Sequence, residues 1–172
     1  MLRSAKMVFF FILVFDSPVL LLAQSQEKKY AVLMLNFAKG LQWPAAVASG
    51  NFVIGIYEYP PLVAELNALS SSARVGTRSI EIKELGSPEE VQKCHMLFVP
   101  AYKTKRLPEI LSTIGNKPVL ILTNKMDYAR KGAGINFILV DGKLKYEINS
   151  SSIEKRGLKI SSNLKGMGIA VE

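Results

Sequence analysis

Three short runs, Phe52–Tyr57 (FVIGIY), His95–Val99 (HMLFV) and Pro118–Thr123 (PVLILT), are apolar almost from end to end. A strand with both faces buried shows no polar alternation, so such runs between turn signals read as central strands of a largely parallel sheet. Parallel neighbours need long crossovers, usually helical, and the intervening segments supply them. Pro61 suits a helix start ahead of Leu62, Leu66 and Leu69. Ser87-Pro88-Glu89-Glu90 reads as a capping box opening a brief helix. Leu107–Ile114 reads as another, closed by Gly115, and Met126–Lys131 as one helical turn. Arg78–Leu85 (RSIEIKEL) alternates, which predicts a strand with one wet face at a sheet edge. Gly132-Ala133-Gly134 predicts a sharp bend or a close backbone approach. Ile135–Val140 and Lys143–Asn149 flank Asp141-Gly142, a strong hairpin signal. In the second arm Leu144, Tyr146 and Ile148 share one face, Lys145 and Glu147 the other. A last helical tract starts near Ser161 and weakens at Gly166 and Gly168. The expected architecture is a single α/β domain: an open, mostly parallel sheet of about six strands flanked by helices, with a C-terminal antiparallel hairpin at its edge.

The first element of that domain is a helix within Tyr30–Pro44 (YAVLMLNFAKGLQWP). Tyr30, Leu33, Met34, Phe37, Ala38 and Leu41 recur at helical spacing and define one buried face, and Trp43-Pro44 stops it. Residues ahead of it look like an export signal. Arg3 and Lys6 precede the apolar runs Met7–Val14 and Val19–Ala23, and cleavage is expected after Ala23. The rival is a membrane anchor, but Asp16 and Pro18 interrupt the stretch and neither run reaches the ~20 residues of a spanning helix. Position 24 is Gln, not the Cys that a lipoprotein would acylate. The expectation is therefore a signal peptide over 1–23, a loose lead-in over 24–29, and a domain over 24–172, exported to the periplasm without an anchor.

The formal charge is +8, and loss of Arg3, Lys6 and Asp16 lowers it by one. On an exported protein this biases toward acidic partners or anionic surfaces rather than nucleic acid; the plain alternative is ordinary, scattered surface charge. Cys94 is the sole cysteine, so no intramolecular disulfide can form. It is either a buried thiol or half of an intermolecular bridge.

Nothing in the residues alone shows an active site. Cys94 and His95 are adjacent, and neighbours on a strand point to opposite faces, so they form neither a metal pair nor a dyad. A satisfied, half-buried histidine is the plain reading of His95. Metal-binding, nucleophile-elbow and phosphate-loop motifs are missing from the sequence, and no cofactor is expected. A receiver domain would share the fold class, but where it needs an acceptor Asp the chain has Pro100-Ala101-Tyr102. Two clusters stand as candidates for ligand or partner binding. Trp43, Tyr57 and Tyr59 fall near strand ends, where open α/β sheets bind ligands, with core packing as the alternative. Glu147 and Asn149 lie on the hairpin, with a solvated or paired carboxylate as the alternative.

The order and spacing of several pieces resemble the YfiR-like family of exported bacterial domains. The pieces are Leu35-Asn36-Phe37-Ala38-Lys39 leading to Trp43-Pro44, the strand Phe52–Tyr57, Cys94–Val99, Val119–Thr123, Gly132–Phe137, Lys145–Asn149 and Gly157–Leu164. The resemblance runs from about Lys28 to Leu164. It implies a non-enzymatic periplasmic regulator, dimeric in relatives, that binds the periplasmic part of a membrane diguanylate cyclase and lowers cyclic-di-GMP, restraining biofilm formation. Related domains serve as the sensor parts of histidine kinases, so either kind of membrane sensor is an implied partner. Two departures stand out. A lone Cys94 cannot form the redox-tuning disulfides of some relatives, and Gly166-Met167-Gly168 breaks a helix that relatives continue with leucines. The alternatives to a regulator are a periplasmic small-molecule binding module and, less in keeping with the motifs, an enzyme using His95 or Glu147.

Overall fold

The computed structural model describes residues 18–172, with side chains from Gln26 onward. Its centre is an eight-stranded sheet in the order β10-β8-β7-β6-β5-β2-β4-β3. The members are β2 (Phe52–Tyr57), β3 (Arg74–Val75), β4 (Arg78–Leu85), β5 (Met96–Val99), β6 (Leu120–Thr123), β7 (Ile135–Val140), β8 (Lys143–Asn149) and β10 (Ile169–Val171). All pairings are parallel except β3 with β4 and the β7–β8 hairpin. Beside it, β1 (Leu41–Gln42) pairs with β9 (Lys159–Ile160) in a separate antiparallel ribbon. The helices are α1 (Pro18–Gly40), α2 (Pro60–Ser70), α3 (Leu107–Ile114), α4 (Ser150–Glu154) and α5 (Ser162–Met167).

The apolar strands divide their side chains between two cores. Phe52, Ile54 and Ile56 of β2 join Met34, Phe37, Leu62, Leu66 and Phe98 on the face covered by α1 and α2. Val53 and Tyr57 join Leu97, Val99, Ile110 and Ile121 on the face covered by α3. The first core is aromatic. Tyr30 stacks on Phe137 at 4.6 Å, and Phe37 meets Tyr146 edge-on at 4.9 Å. Each fully buried large side chain contributes about 1.5–3 kcal/mol. Gly55 makes the close packing of the second core possible. A Cβ there would sit 2.6 Å from Cys94 Sγ and 2.7 Å from a Leu85 methyl.

The α/β class and mostly parallel sheet agree with expectation, but the sheet is wider and its edges differ. Arg78–Leu85 lies one strand in, because the two-residue β3 covers it. The hairpin is not an edge either: β10 pairs with β8 through Ile169, Ala170 and Val171. Strands of two or three residues carry no period, so no hydrophobic pattern announces them. The helix α1 ends at Gly40, earlier than Trp43-Pro44, because Leu41 and Gln42 leave to pair with β9. It also starts earlier, so residues 24–29 are helical and not a loose lead-in. Gln, Glu and Lys are good helix formers, and buried Glu27 and Tyr30 tie this turn to the sheet. Met126–Lys131 makes turns in place of a helical turn, with Asp127 left-handed at φ 65°. The export-signal expectation falls mostly on residues 1–17, outside the described residues.

The hairpin turns through Asp141 (φ 51°) and Gly142 (φ 71°), the pair of left-handed residues a type I′ turn requires. Gly132 is left-handed at φ 105°, while Gly134 lies so near its neighbours that a Cβ would approach Ile153 to 2.8 Å and Leu120 to 3.0 Å.

Candidate functional site

The five parallel strands β2, β4, β5, β6 and β7 run in the spatial order β4-β2-β5-β6-β7. The crossover from β2 runs to β4 on one side, and the chain then returns past β2 to β5 on the other, so a crevice opens beyond the carboxyl ends of β2 and β5, where open α/β sheets bind ligands. Its walls are the residues that follow these strands: Glu58 and Tyr59 after β2, Tyr102 and Lys103 after β5, and Asn124 after β6. The N-terminal half of α1 crosses this end of the sheet and brings Gln26, Glu27 and Tyr30.

These groups hold one another. The Tyr59 hydroxyl donates to Glu27 Oε1, and its ring stacks on Phe98 at 6.1 Å and meets Tyr102 edge-on at 6.1 Å. Glu27 is 6% exposed, and its second oxygen, Oε2, has no partner among the described residues. Burial, reinforced by the bond to Glu27, holds the Tyr59 phenol well above its ordinary range. Glu58 has a left-handed backbone, φ 46°, a conformation that costs a non-glycine residue free energy and that recurs at binding sites. Three contacts fix it there: its N–H donates to Leu85 O (3.0 Å), its carbonyl accepts from the Tyr102 hydroxyl, and its carboxylate pairs with Lys103. Asn124 accepts from Ala101 N–H at 2.7 Å. Beyond the crevice, β7 continues past its last pairing with β6 at Asn136, so the hairpin projects as a ribbon. A cavity of about 300 Å³ lies between this ribbon and α1, lined by Tyr30, Asn124, Met126, Phe137 and Leu139 among others. Among the described residues six large apolar side chains are exposed; Met126 and Leu139 line this cavity, and Tyr102 stands in the crevice against Tyr59.

Of the five sequence candidates, only Tyr59 reaches the crevice with its side chain. Tyr57 points to the opposite face, 1% exposed in the second core, with its hydroxyl unpartnered among the described residues. Trp43 lies at the amino end of the strands. It meets Phe52 edge-on at 4.9 Å and donates its indole N–H to Ala38 O at 3.0 Å. The aromatic trio is therefore split among three places. Glu147 accepts from Asn136 Nδ2 at 2.8 Å, and Asn136 in turn accepts from the Thr123 hydroxyl and Lys125 N–H. Asn149 caps α4 through Ser152 N–H (2.8 Å) and donates to Ala129 O (2.9 Å). Glu147 and Asn149 thus join strands and loops within the fold.

His95 is satisfied as the plain reading had it. Val53 N–H donates to Nδ1 (3.0 Å), which puts the ring proton on Nε2, facing Val47 O at 3.0 Å. Burial, aided by the nearby Arg78, lowers its pKa. Cys94 is buried, and burial raises its thiol to about 11. Glu27, Glu58 and Tyr102 were missed in the sequence. Glu27 lies three residues before Tyr30, on the buried face of the helix, and that spacing was the available signal.

The family model of DUF4154, YfiR/HmsC-like, matches residues 27–168. The chain belongs to the YfiR/HmsC-like family. The matched span opens at Glu27, the residue that anchors α1 to the crevice, and closes at Gly168, one residue before β10. Solved structures share the fold. A conserved domain protein from Vibrio cholerae superposes with a TM-score of 0.55 at 11% identity, over 85% of this chain and 60% of that one. An ABC domain from Streptococcus pneumonia, solved in complex with L-Trp, superposes with a TM-score of 0.55 at 12% identity, over 80% of this chain and 59% of that one. This chain therefore spans about 60% of the length of either structure. No curated protein matches it. No helix among the described residues is long and apolar enough to cross a membrane.

Proposed function

We propose that this YfiR/HmsC-like protein is an exported regulator that acts by binding the extracytoplasmic part of a membrane sensor, a diguanylate cyclase or a histidine kinase. The observation that carries the reading is the exposure of Met126 and Leu139 around the cavity beside the ribbon, with exposed Tyr102 in the crevice at the same end of the sheet. Clustered apolar exposure of this kind marks interaction surfaces. Around it the polar groups of the crevice are engaged with each other, and they shape a surface more than they offer a reactive group. Tyr59 and Tyr102 are the aromatic contacts such a partner would meet. Of the two sensors, the cyclase fits the family's known regulators, and repression of its activity is the expected consequence.

The test mixes the purified protein with the periplasmic parts of membrane sensors encoded beside it. Saturable binding by one of them, weakened by Tyr102→Ala and Met126→Asp, is expected. No binding to any at tens of micromolar would sink the proposal. The cavity beside Tyr30 and Asn124 favours a second reading, a small-molecule module. At about 300 Å³ it sits at the lower bound of ligand pockets. That reading requires a metabolite that raises the melting temperature, and an Asn124→Ala variant that melts normally yet no longer responds.

A further inference from the structure

A second, larger concavity of about 730 Å³ lies on the outer flank of α1, between that helix and the tip of the β7–β8 ribbon. Its floor is aliphatic, made by Val32 and Leu33 of α1 and Leu144 of β8. Its rim is cationic, made by Lys28, Lys29 and Lys143, and among the described residues its lining contains no carboxylate. On α1 the pairs Lys28/Val32 and Lys29/Leu33 are each one turn apart, so two parallel rows carry a lysine followed by an apolar side chain. Among the described residues none of the three lysines joins a salt bridge. Val32 is 45% exposed.

We propose that this groove receives an acidic amphipathic helix of the sensor partner. The inference rests on the regulator reading above and names the surface and the kind of segment it would use. The apolar stripe of the incoming helix packs on Val32, Leu33 and Leu144, and its Asp or Glu flanks meet Lys28, Lys29 and Lys143. A helix laid beside α1 reads the rows at residues 28–33 over about 8 Å of axis, so two to three turns with apolar residues at i, i+4 and i+7 suffice. Concavity favours this occupant over a bilayer, which would touch the lysine rim and leave the aliphatic floor open. Bare lysines around an apolar floor also select for sign, since a basic helix would be repelled at all three corners.

Fluorescence anisotropy on the purified protein tests this with a labelled, helix-stabilised peptide of about 14 residues, carrying a leucine stripe with glutamate flanks. Its lysine-flanked counterpart and phosphatidylglycerol vesicles are the comparisons. The glutamate peptide is expected to bind about tenfold or more tighter than the lysine peptide and to weaken as salt rises. Lys28→Glu, Lys29→Glu and Lys143→Glu together should reverse the preference at an unchanged melting temperature. Val32→Asp alone should abolish binding of the glutamate peptide. Equal affinity for both peptides, or a preference that the triple variant keeps, overturns the proposal. So does binding confined to the vesicles, which assigns the groove to anionic lipid. The sensor's own periplasmic part separates the two readings. If the triple variant binds it as well as wild type does, the groove falls and the regulator reading stands. If neither protein binds any sensor, the regulator reading falls and the peptide preference alone decides the groove.

Discussion

Glu27 shows how much of this end of the molecule depends on single hydrogen bonds. Its carboxylate is buried with one oxygen unpartnered among the described residues, and the Tyr59 hydroxyl serves the other. Tyr59→Phe removes that donor, and leaving a buried acceptor unsatisfied costs about 1–3 kcal/mol. Urea melts should show the loss, and Glu27→Gln combined with Tyr59→Phe should recover part of it. At the opposite end, His95 is neutral in the fold because burial lowers its pKa. Below about 6.5 the unfolded chain takes up a proton that the folded ring refuses. Stability should therefore decline as pH falls below about 6.5, and His95→Asn should flatten that decline in melts compared at pH 7 and 5.5. The wild-type and variant slopes should differ; equal slopes would remove His95 from the balance. The thiol of Cys94 is buried and raised to about 11, so native alkylation at pH 7.5 should be slow and become fast only in denaturant. Such residue-scale facts were only partly open to reading. Cys94 and His95 were legible because strand alternation sets their faces. The crevice contact was not, because Glu27 and Tyr59 are separated by 32 residues and meet through tertiary packing.

At the scale of elements, the long apolar strands and α3 followed from their own side chains, while β1, β3, β9 and β10 did not. Each of these has two or three residues, and its pairing is imposed by what lies beside it. The β7–β8 hairpin is the opposite case, since Asp141-Gly142 encodes its turn locally. Both turn residues have positive φ and Gly142 has no neighbouring atom within 4 Å of a Cβ, so Gly142→Val is penalised by backbone conformation alone. A loss of about 1–2 kcal/mol is expected, read by chemical denaturation. Gly55→Ala is penalised differently, by the clash of a new methyl with Cys94 and Leu85. Overpacking of this kind costs about 1–3 kcal/mol, and because Leu85→Ala removes part of the same clash, the double variant Gly55→Ala with Leu85→Ala should lose less stability than the two single losses added together. The aromatic trio read from the sequence failed at this scale as well. Alternation along β2 sends Tyr57 to one face, whereas Tyr59, beyond the left-handed Glu58, turns to the other.

For the whole molecule, sequence and structure agree on class: one α/β layer system whose crossovers reverse at β2 and so place a crevice at one end. The sequence does not disclose which groups close that crevice, because they come from three strand ends and one helix. The proposed export bears on the molecule as a unit. Cleavage after Ala23 would shorten α1 at its start yet leave Gln26, Glu27, Lys28 and Lys29 in place. Mass spectrometry of the protein recovered from the periplasm should find Gln24 at the N-terminus, with the melting temperature of the processed form unchanged by restoring residues 18–23.

The helix α1 spans the sheet from the crevice, at Glu27 and Tyr30, to the far end, where Trp43 follows it by three residues. Trp43 is the sole tryptophan, and it rests against Phe52 and His95, on the opposite side from the exposed apolar cluster. The molecule therefore carries its own optical gauge at a distance from the surface a partner would cover. Docking that leaves α1 in place should not change the indole emission. Docking that draws the helix along its axis should shift it, so a single fluorescence titration distinguishes a passive clamp from a lever.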